Sequence, residues 1–345
     1  MTSLKALAAH LKLSQTTVSR ALNGYPEVGA KTRRRVLEAA ERLDYRPNPV
    51  AQGLATGRAN AIGILFSIES NMLESPIVAD LLTGISETAA ERGLAIHLNP
   101  IRAGEEVAAC ERIVRSGAVD ALVLLSPILD DPETSVLAEI DFPVVAHGRP
   151  IFGQTVASLS VDNVGAFRKG AAYLAALGHH RIALLNGEEN RAYGRDRRDG
   201  FLMALAAAGL DCDERLMTCG QQTYLRGYAA AEAMLALPER PTAFLCSSVL
   251  LATGASRAIA EAGLRIPEDV SLIAHDDAVA ALPSDMAFAG LTVLRSPVRA
   301  AGRRIGEMAI ERARGTPANE LVEVWDVPLV EGGSTAPAPV EASMS

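Results

Sequence analysis

Three groups of side chains are spaced so that they could do chemistry. The first is Ser14-Gln15-Thr16-Thr17-Val18-Ser19-Arg20, which packs hydroxyls, an amide and a guanidinium into one short segment. On a helix beginning at Gln15, the side chains of Gln15, Thr16, Ser19 and Arg20 are exposed together. Groups of these types reach base edges in the DNA major groove, and Arg20 suits a bidentate contact to guanine. The alternative is a small helical bundle with solvated polar faces. The second group, His275-Asp276-Asp277, has the form of a base and its orienting acid. It follows a strand and has no nucleophile nearby in sequence, so binding is favoured over catalysis. The third, His179-His180, lies in Leu-Gly-His-His-Arg between a helix and a strand and reads as a solvated turn rather than a metal site. No Gly-x-Ser-x-Gly, phosphate-loop or His-Glu-x-x-His motif occurs, so neither an enzyme nor a cofactor is expected. Cys110, Cys212, Cys219 and Cys246 lack metal-ligand spacing and form no disulfide framework, which fits a reduced, cytoplasmic protein.

Charge separates the first of these groups from the rest. The first 60 residues hold ten basic and four acidic side chains, whereas the whole 345-residue chain carries −8. A basic head on an acidic body suggests a nucleic-acid-binding segment joined to a part that does not touch nucleic acid. Arg33-Arg34-Arg35 reads equally as a phosphate-facing cluster or a solvated helix face. With 49 % hydrophobic and 21 % charged residues the chain is globular, and no apolar run is long enough for a membrane span or a secretory signal.

The elements that must position these groups follow from periodicity. Leu4, Leu7, Ala8 and Leu11 recur at helical spacing over residues 3–11, with Ser3 as N-cap. Ser14 caps a second helix, Gln15 to Leu22, which buries Val18, Ala21 and Leu22 and ends at Asn23-Gly24. A third helix, from Ala30 to Leu43, turns Val36, Leu37, Ala40 and Leu43 inward. The three form a helix-turn-helix with a buttress. From Asn60 onward, strands (61–66, 94–98, 121–125, 144–147, 182–185, 243–246, 271–274) alternate with helices (78–92, 200–208, 251–262) in two similar halves. That alternation implies two doubly wound, parallel α/β subdomains. Gly93, Gly117, Gly178, Gly209 and Gly263 stand where helices should stop.

Leu13-Ser-Gln-Thr-Thr-Val-Ser-Arg-Ala-Leu-Asn-Gly24, Val36-Leu-Glu-Ala-Ala40 and Tyr45-Arg-Pro-Asn-Pro49 together resemble the signature of LacI-family transcriptional regulators. Ser160-Val-Asp-Asn163, Leu177-Gly-His179, Arg197-x-x-Gly-Phe201, Ala252-Thr-Gly254 and Ile266-Pro-Glu-Asp-Val270 extend the resemblance over most of the chain. It implies a periplasmic-binding-protein-like body behind the helix-turn-helix head. The implied domains are a DNA-binding head (1–46), a hinge helix (47–60), an N-subdomain (61–160 and 292–325), a C-subdomain (161–291) and a C-terminal strand and tail (326–345). It also implies a homodimer on a palindromic operator, contacted by Ser14, Gln15, Thr16, Ser19, Arg20, Asn23 and Asn48, with Leu54 wedged into a central base step. Gly53 weakens the hinge helix, since glycine costs about 1 kcal/mol in a helix interior.

The resemblance places a small sugar-like effector between the subdomains at the carboxyl ends of the strands. Arg197 and Asp276 facing one another across sugar hydroxyls are its main ligand pair. Arg149, Tyr193, Tyr224 and Ser248 are further candidates from loop positions, and Val249 removes a carboxylate common in the family. The Ser-Ser-x-x-Leu-Ala-x-Gly segment resembles regulators of α-glucoside use. The alternative is a solute-binding protein without a DNA role, which the basic head disfavours. The Pro/Ala/Ser-rich tail has no heptads, so no coiled-coil tetramer module is expected.

Overall fold

A computed structural model of the chain describes residues 3–45, 57–68, 75–102, 105–125, 142–149, 156–278 and 290–339. Asn48, Gly53 and Leu54 of the expected hinge lie outside the described residues. The chain divides into two compact units, a head (Met1–Asn60 with Gly117–Asp120) and a body comprising the remainder.

The head holds α1 (Leu4–Leu11), α2 (Gln15–Leu22) and α3 (Ala30–Arg42). The hydroxyls of Ser3 and Ser14 accept hydrogen bonds from the backbone N–H of Ala6 and Thr17 at 3.2 and 3.0 Å, each satisfying a donor that the first helical turn leaves free. Lys12, at φ 52°, makes the tight turn between α1 and α2. Leu7, Ala8, Val18, Ala21, Val36, Ala39 and Ala40 close the core. Leu37, expected inside, is 48 % exposed. A residue one position from Val36 lies about 100° around the helix, so Ala39 and Ala40 take the inward stripe instead.

The body is built on two six-stranded sheets. The first contains β1 (Ala61–Ser67), β2 (Ala95–Ile101), β3 (Ala121–Leu125), β4 (Val144–His147), β5 (Ala157–Val161) and β11 (Val322–Trp325), ordered β11-β5-β4-β3-β1-β2. All its pairings are parallel. The second contains β6 (Ile182–Leu185), β7 (Met217–Thr218), β8 (Ala243–Cys246), β9 (Ser271–Asp276), β10 (Thr292–Arg295) and β12 (Leu329–Val330), ordered β12-β10-β9-β8-β6-β7. Here β12 alone runs antiparallel, beside β10. Strands β6, β8 and β9 are buried on both faces, as runs of apolar residues in a parallel sheet require.

The helices α4 (Pro76–Glu91), α5 (Glu106–Ser116) and α10 (Val298–Ala313) belong to the first lobe; α6 (Asn163–Ala176), α7 (Ala192–Ala207), α8 (Tyr224–Leu235) and α9 (Val249–Glu261) belong to the second. Helix α7 starts eight residues before the expected Gly200, and α5, α6 and α8 fall outside the expected helices. In α6, α7 and α8, stretches of alanine and charge leave a narrow apolar stripe, so periodicity is a weak signal.

The lobe boundary also moves. Thr292–Arg295 pairs with β9 in the second sheet, so the crossing to the first lobe falls after Arg295 and not before residue 292. The C-terminal segment is likewise part of the second lobe. Ser334 is buried, its Oγ accepting from the Thr292 N–H at 2.9 Å and donating to the Leu272 carbonyl at 2.6 Å. His179, expected in a solvated turn, is 1 % exposed. Its ring nitrogens lie 2.9 Å from Thr242 Oγ1 and Ser271 Oγ, and 3.1 Å from the Ala336 carbonyl, so it clamps the returning C-terminal segment.

Candidate functional site

The head presents a polar helix face. Ser14, Gln15, Thr16 and Arg20 are exposed, while Ser19 and Asn23 are half-buried and joined by an Asn23 Nδ2 to Ser19 Oγ hydrogen bond of 3.4 Å. Ser14 is also the cap of α2, so one side chain both starts the helix and stands at the end that would enter a groove. The arginine run splits by role. Arg33 donates to the Gly24 and Tyr25 carbonyls at 3.1 and 2.7 Å and braces the turn after α2. Arg34, 4.0 Å from Glu38, and Arg35 are exposed.

The body carries a cavity of about 540 Å³ between its lobes, within the range of small-molecule clefts. Its walls come from the carboxyl ends of the strands: His147 closing β4 and Arg149 after it, Ser160 and Val161 closing β5, Asp277 after β9 and Ser296 after β10. Ile77 and Val78 at the start of α4, with Val298 and Ala301 of α10, add an apolar surface. The opposing wall is the first two turns of α7, with Tyr193, Asp196 and Arg197.

The Arg197-x-x-Gly200-Phe201 spacing now has a physical reason. A side chain at Gly200 would collide with the Val164 carbonyl, so glycine lets α7 lie close on α6. Phe201 is buried in the core beneath. One turn earlier, Arg197 faces the cavity at 6 % exposure. Its Nε and Nη1 donate to Asn163 Oδ1 and the Ser247 carbonyl, both at 2.8 Å. Its guanidinium carbon sits 5.2 and 5.0 Å from the ring centres of Phe167 and Tyr193. Its Nη2 is 3.3 Å from both ring nitrogens of His275, which in turn lies 3.5 Å from Asp277.

This clustering shifts the titrations. Burial, then the Arg197 charge, pushes His275 down. Burial pushes His147 down to about 4 against the opposing pull of Asp277. Burial acts to raise Asp277, yet the facing His275 and Arg197 outweigh it and hold the carboxyl low. At neutral pH the wall therefore offers the neutral His147 imidazole, the Asp277 carboxylate and the Arg197 guanidinium, beside the Arg149–Asp196 and Arg191–Glu188 pairs.

Of the residues expected to touch a ligand, Arg149, Tyr193 and Arg197 line the cavity, while Asp276, Ser248 and Tyr224 do not. Asp276 is buried, accepting from the Ala278 N–H at 2.8 Å and lying 3.3 Å from Arg295. Successive residues of a strand point to opposite faces, so when His275 faces Arg197 it is Asp277 that follows it to the cavity. Ser248 is spent capping α9, accepting from the Leu251 N–H at 3.3 Å. Tyr224 opens α8 and is 40 % exposed. His147 and Asp196 were missed, since no motif marks them, and Asn163 was missed although it closes the Ser160-Val-Asp-Asn163 motif.

Residues 3–48 match the description "Bacterial regulatory proteins, lacI family", and residues 60–325 match "Periplasmic binding proteins and sugar binding domain of LacI family". The chain belongs to the LacI family. A relative from Rhizobium meliloti (strain 1021), the HTH-type transcriptional regulator AglR, is 44 % identical over 98 % of this chain and 95 % of its own length. The solved complex of the transcriptional regulator CelR with cellobiose is 30 % identical, with a TM-score of 0.68 over 96 % of this chain and 99 % of that one. The Lac repressor dimer bound to operator aligns with a TM-score of 0.79 at 26 % identity, over 97 % of this chain and 99 % of that one. The protein is thus a DNA-binding transcriptional regulator of the LacI family, whose matched relatives are regulators. Among the described residues, no helix is long and apolar enough to cross a membrane.

Proposed function

We propose that the chain is a cytoplasmic, homodimeric repressor of a palindromic operator, whose DNA affinity is switched by a neutral sugar, an α-glucoside, in the cleft between its lobes; it catalyses no reaction. The observation that carries this reading is the convergence of Arg197, Asn163, His147 and Asp277 on one cavity. A guanidinium and a carboxylate fixed in a site with a neutral imidazole give directional donors and acceptors for hydroxyls. The other charges there are largely paired, Arg149 with Asp196 at 2.6 Å and Arg191 with Glu188 at 3.2 Å. A site balanced in this way favours an uncharged ligand over a uronate or a sugar phosphate. The apolar side formed by Ile77, Val78 and Val298 suits the carbon face of a pyranose. CelR, solved with cellobiose, supports a glycoside of similar size.

In this reading Arg197, Tyr193, Asp277 and His147 contact the effector, and Ser248 and Tyr224 support the wall from behind. Ser14, Gln15, Thr16, Ser19, Arg20 and Asn23 meet the operator, and Asn48 and the Leu54 wedge act in the hinge. A thermal-shift screen of maltose, methyl α-glucoside, cellobiose and glucuronate tests the site, because a ligand that binds only the folded chain raises its melting temperature. We expect maltose or methyl α-glucoside to raise it. A shift with glucuronate alone overturns the neutral-ligand reading, and one with cellobiose alone overturns the α-linkage.

A further inference from the structure

We propose that Arg149 and Asp196 form a latch that holds the two lobes of the body together across the cleft before any effector arrives. This rests on the cleft being the effector site. Arg149 follows β4, so it belongs to the first lobe; Asp196 stands on α7, in the second. Both line the cavity, and Arg149 Nη2 lies 2.6 Å from Asp196 Oδ1. Asp196 also neighbours Arg197 on α7, so one helical turn presents a ligand-facing cation and a lobe-bridging anion side by side.

The pair is asymmetric. The Arg149 side chain is 60 % exposed, whereas that of Asp196 is 12 % exposed. A carboxylate withdrawn from water costs free energy unless it is paired, while an exposed guanidinium can swing back into solvent. When the lobes part, both groups exchange their mutual hydrogen bond for water, so the latch contributes the modest net energy of a partly exposed pair. The interaction favours the closed arrangement. Because the Arg149 donor is committed to Asp196, it acts as a positioning group and reads no particular hydroxyl. Weakening the latch lowers the closed population, and every ligand then pays the same factor in apparent affinity.

Hydrogen exchange of the full-length chain, measured without sugar, reads the latch directly. R149Q and D196N should each speed exchange in both walls, residues 76–82 of the first lobe and 192–198 of the second. The expected factor is roughly two- to five-fold, the range of a partly exposed ion pair. The double variant should be no faster than the single ones, and the swapped pair R149D/D196R should restore protection. Raising salt to about 1 M should move the natural chain toward the variants. Faster exchange confined to the altered lobe, multiplied effects in the double variant, or unchanged exchange in R149Q would overturn the latch. Should D196N melt early, R149K and R149Q still decide: R149K must keep most of the protection that R149Q loses. Since no sugar enters the measurement, a failed sugar screen and a failed latch remain distinguishable.

Discussion

Arg197 is restrained by two hydrogen bonds, two aromatic faces and an imidazole, more than packing requires. That restraint orients a planar fork, and lysine cannot reproduce it. Arg197→Lys should weaken binding of the sugar identified by thermal shift at least about ten-fold by calorimetry, the scale of one lost charged hydrogen bond. The histidines yield a second residue-scale expectation. His147, His179 and His275 all have native pKa values depressed by burial. Below pH 6.5 the unfolded chain binds protons that the native chain refuses, so stability falls as the pH drops from there toward about 4. His147→Gln should flatten that slope in urea titrations between those limits, by up to about 3 kcal/mol at the acid end. An unchanged slope would mean that His147 is solvated. Asp277, held low, loses stability in the same direction on acidification.

At the scale of elements, the proposed reading by α2 is separate from bracing by α3. Arg20 is exposed on the helix, whereas Arg33, on α3, is tied to the turn that follows it. Arg20→Ala should cost roughly 1–3 kcal/mol of operator affinity and relax preference at one base position per half-site. Loss of equal size on every DNA sequence would instead make Arg20 a phosphate contact. Arg33→Ala should lower the melting temperature of the head, losing two hydrogen bonds worth about 1–3 kcal/mol together, while base preference stays the same. A changed base preference with an unaltered melt would show that the brace is wrongly assigned. Helix α7 makes the same point in the body: its glycine sets the packing distance, and its arginine is carried to the cleft as a consequence.

For the whole molecule, coupling between sugar and operator must be reciprocal. Calorimetry of the sugar with and without operator should show affinity reduced by the same factor by which sugar reduces operator binding. Equal sugar affinities in both titrations would exclude a switch. Much of this organisation was legible in the sequence, because it rests on local signals. Ser3 and Ser14 cap helices as their types require, and the β-strand runs at 121–125, 144–147, 182–185 and 243–246 sit where the apolar residues put them. The head's polar face and the Arg197 motif are continuous in the chain, so spacing alone exposes them. What depends on distant partners was not legible. Whether residues 292–295 joined the first or second sheet turned on pairing with β9, and the fate of His179 on a segment more than 150 residues away. The cavity chose Asp277 over Asp276 through the pleat of β9 against Arg197. The pairing of Arg149 with Asp196 was settled only when two lobes, each folded on its own sheet, met across the cleft, since no local pattern encodes a contact between chain segments 47 residues apart.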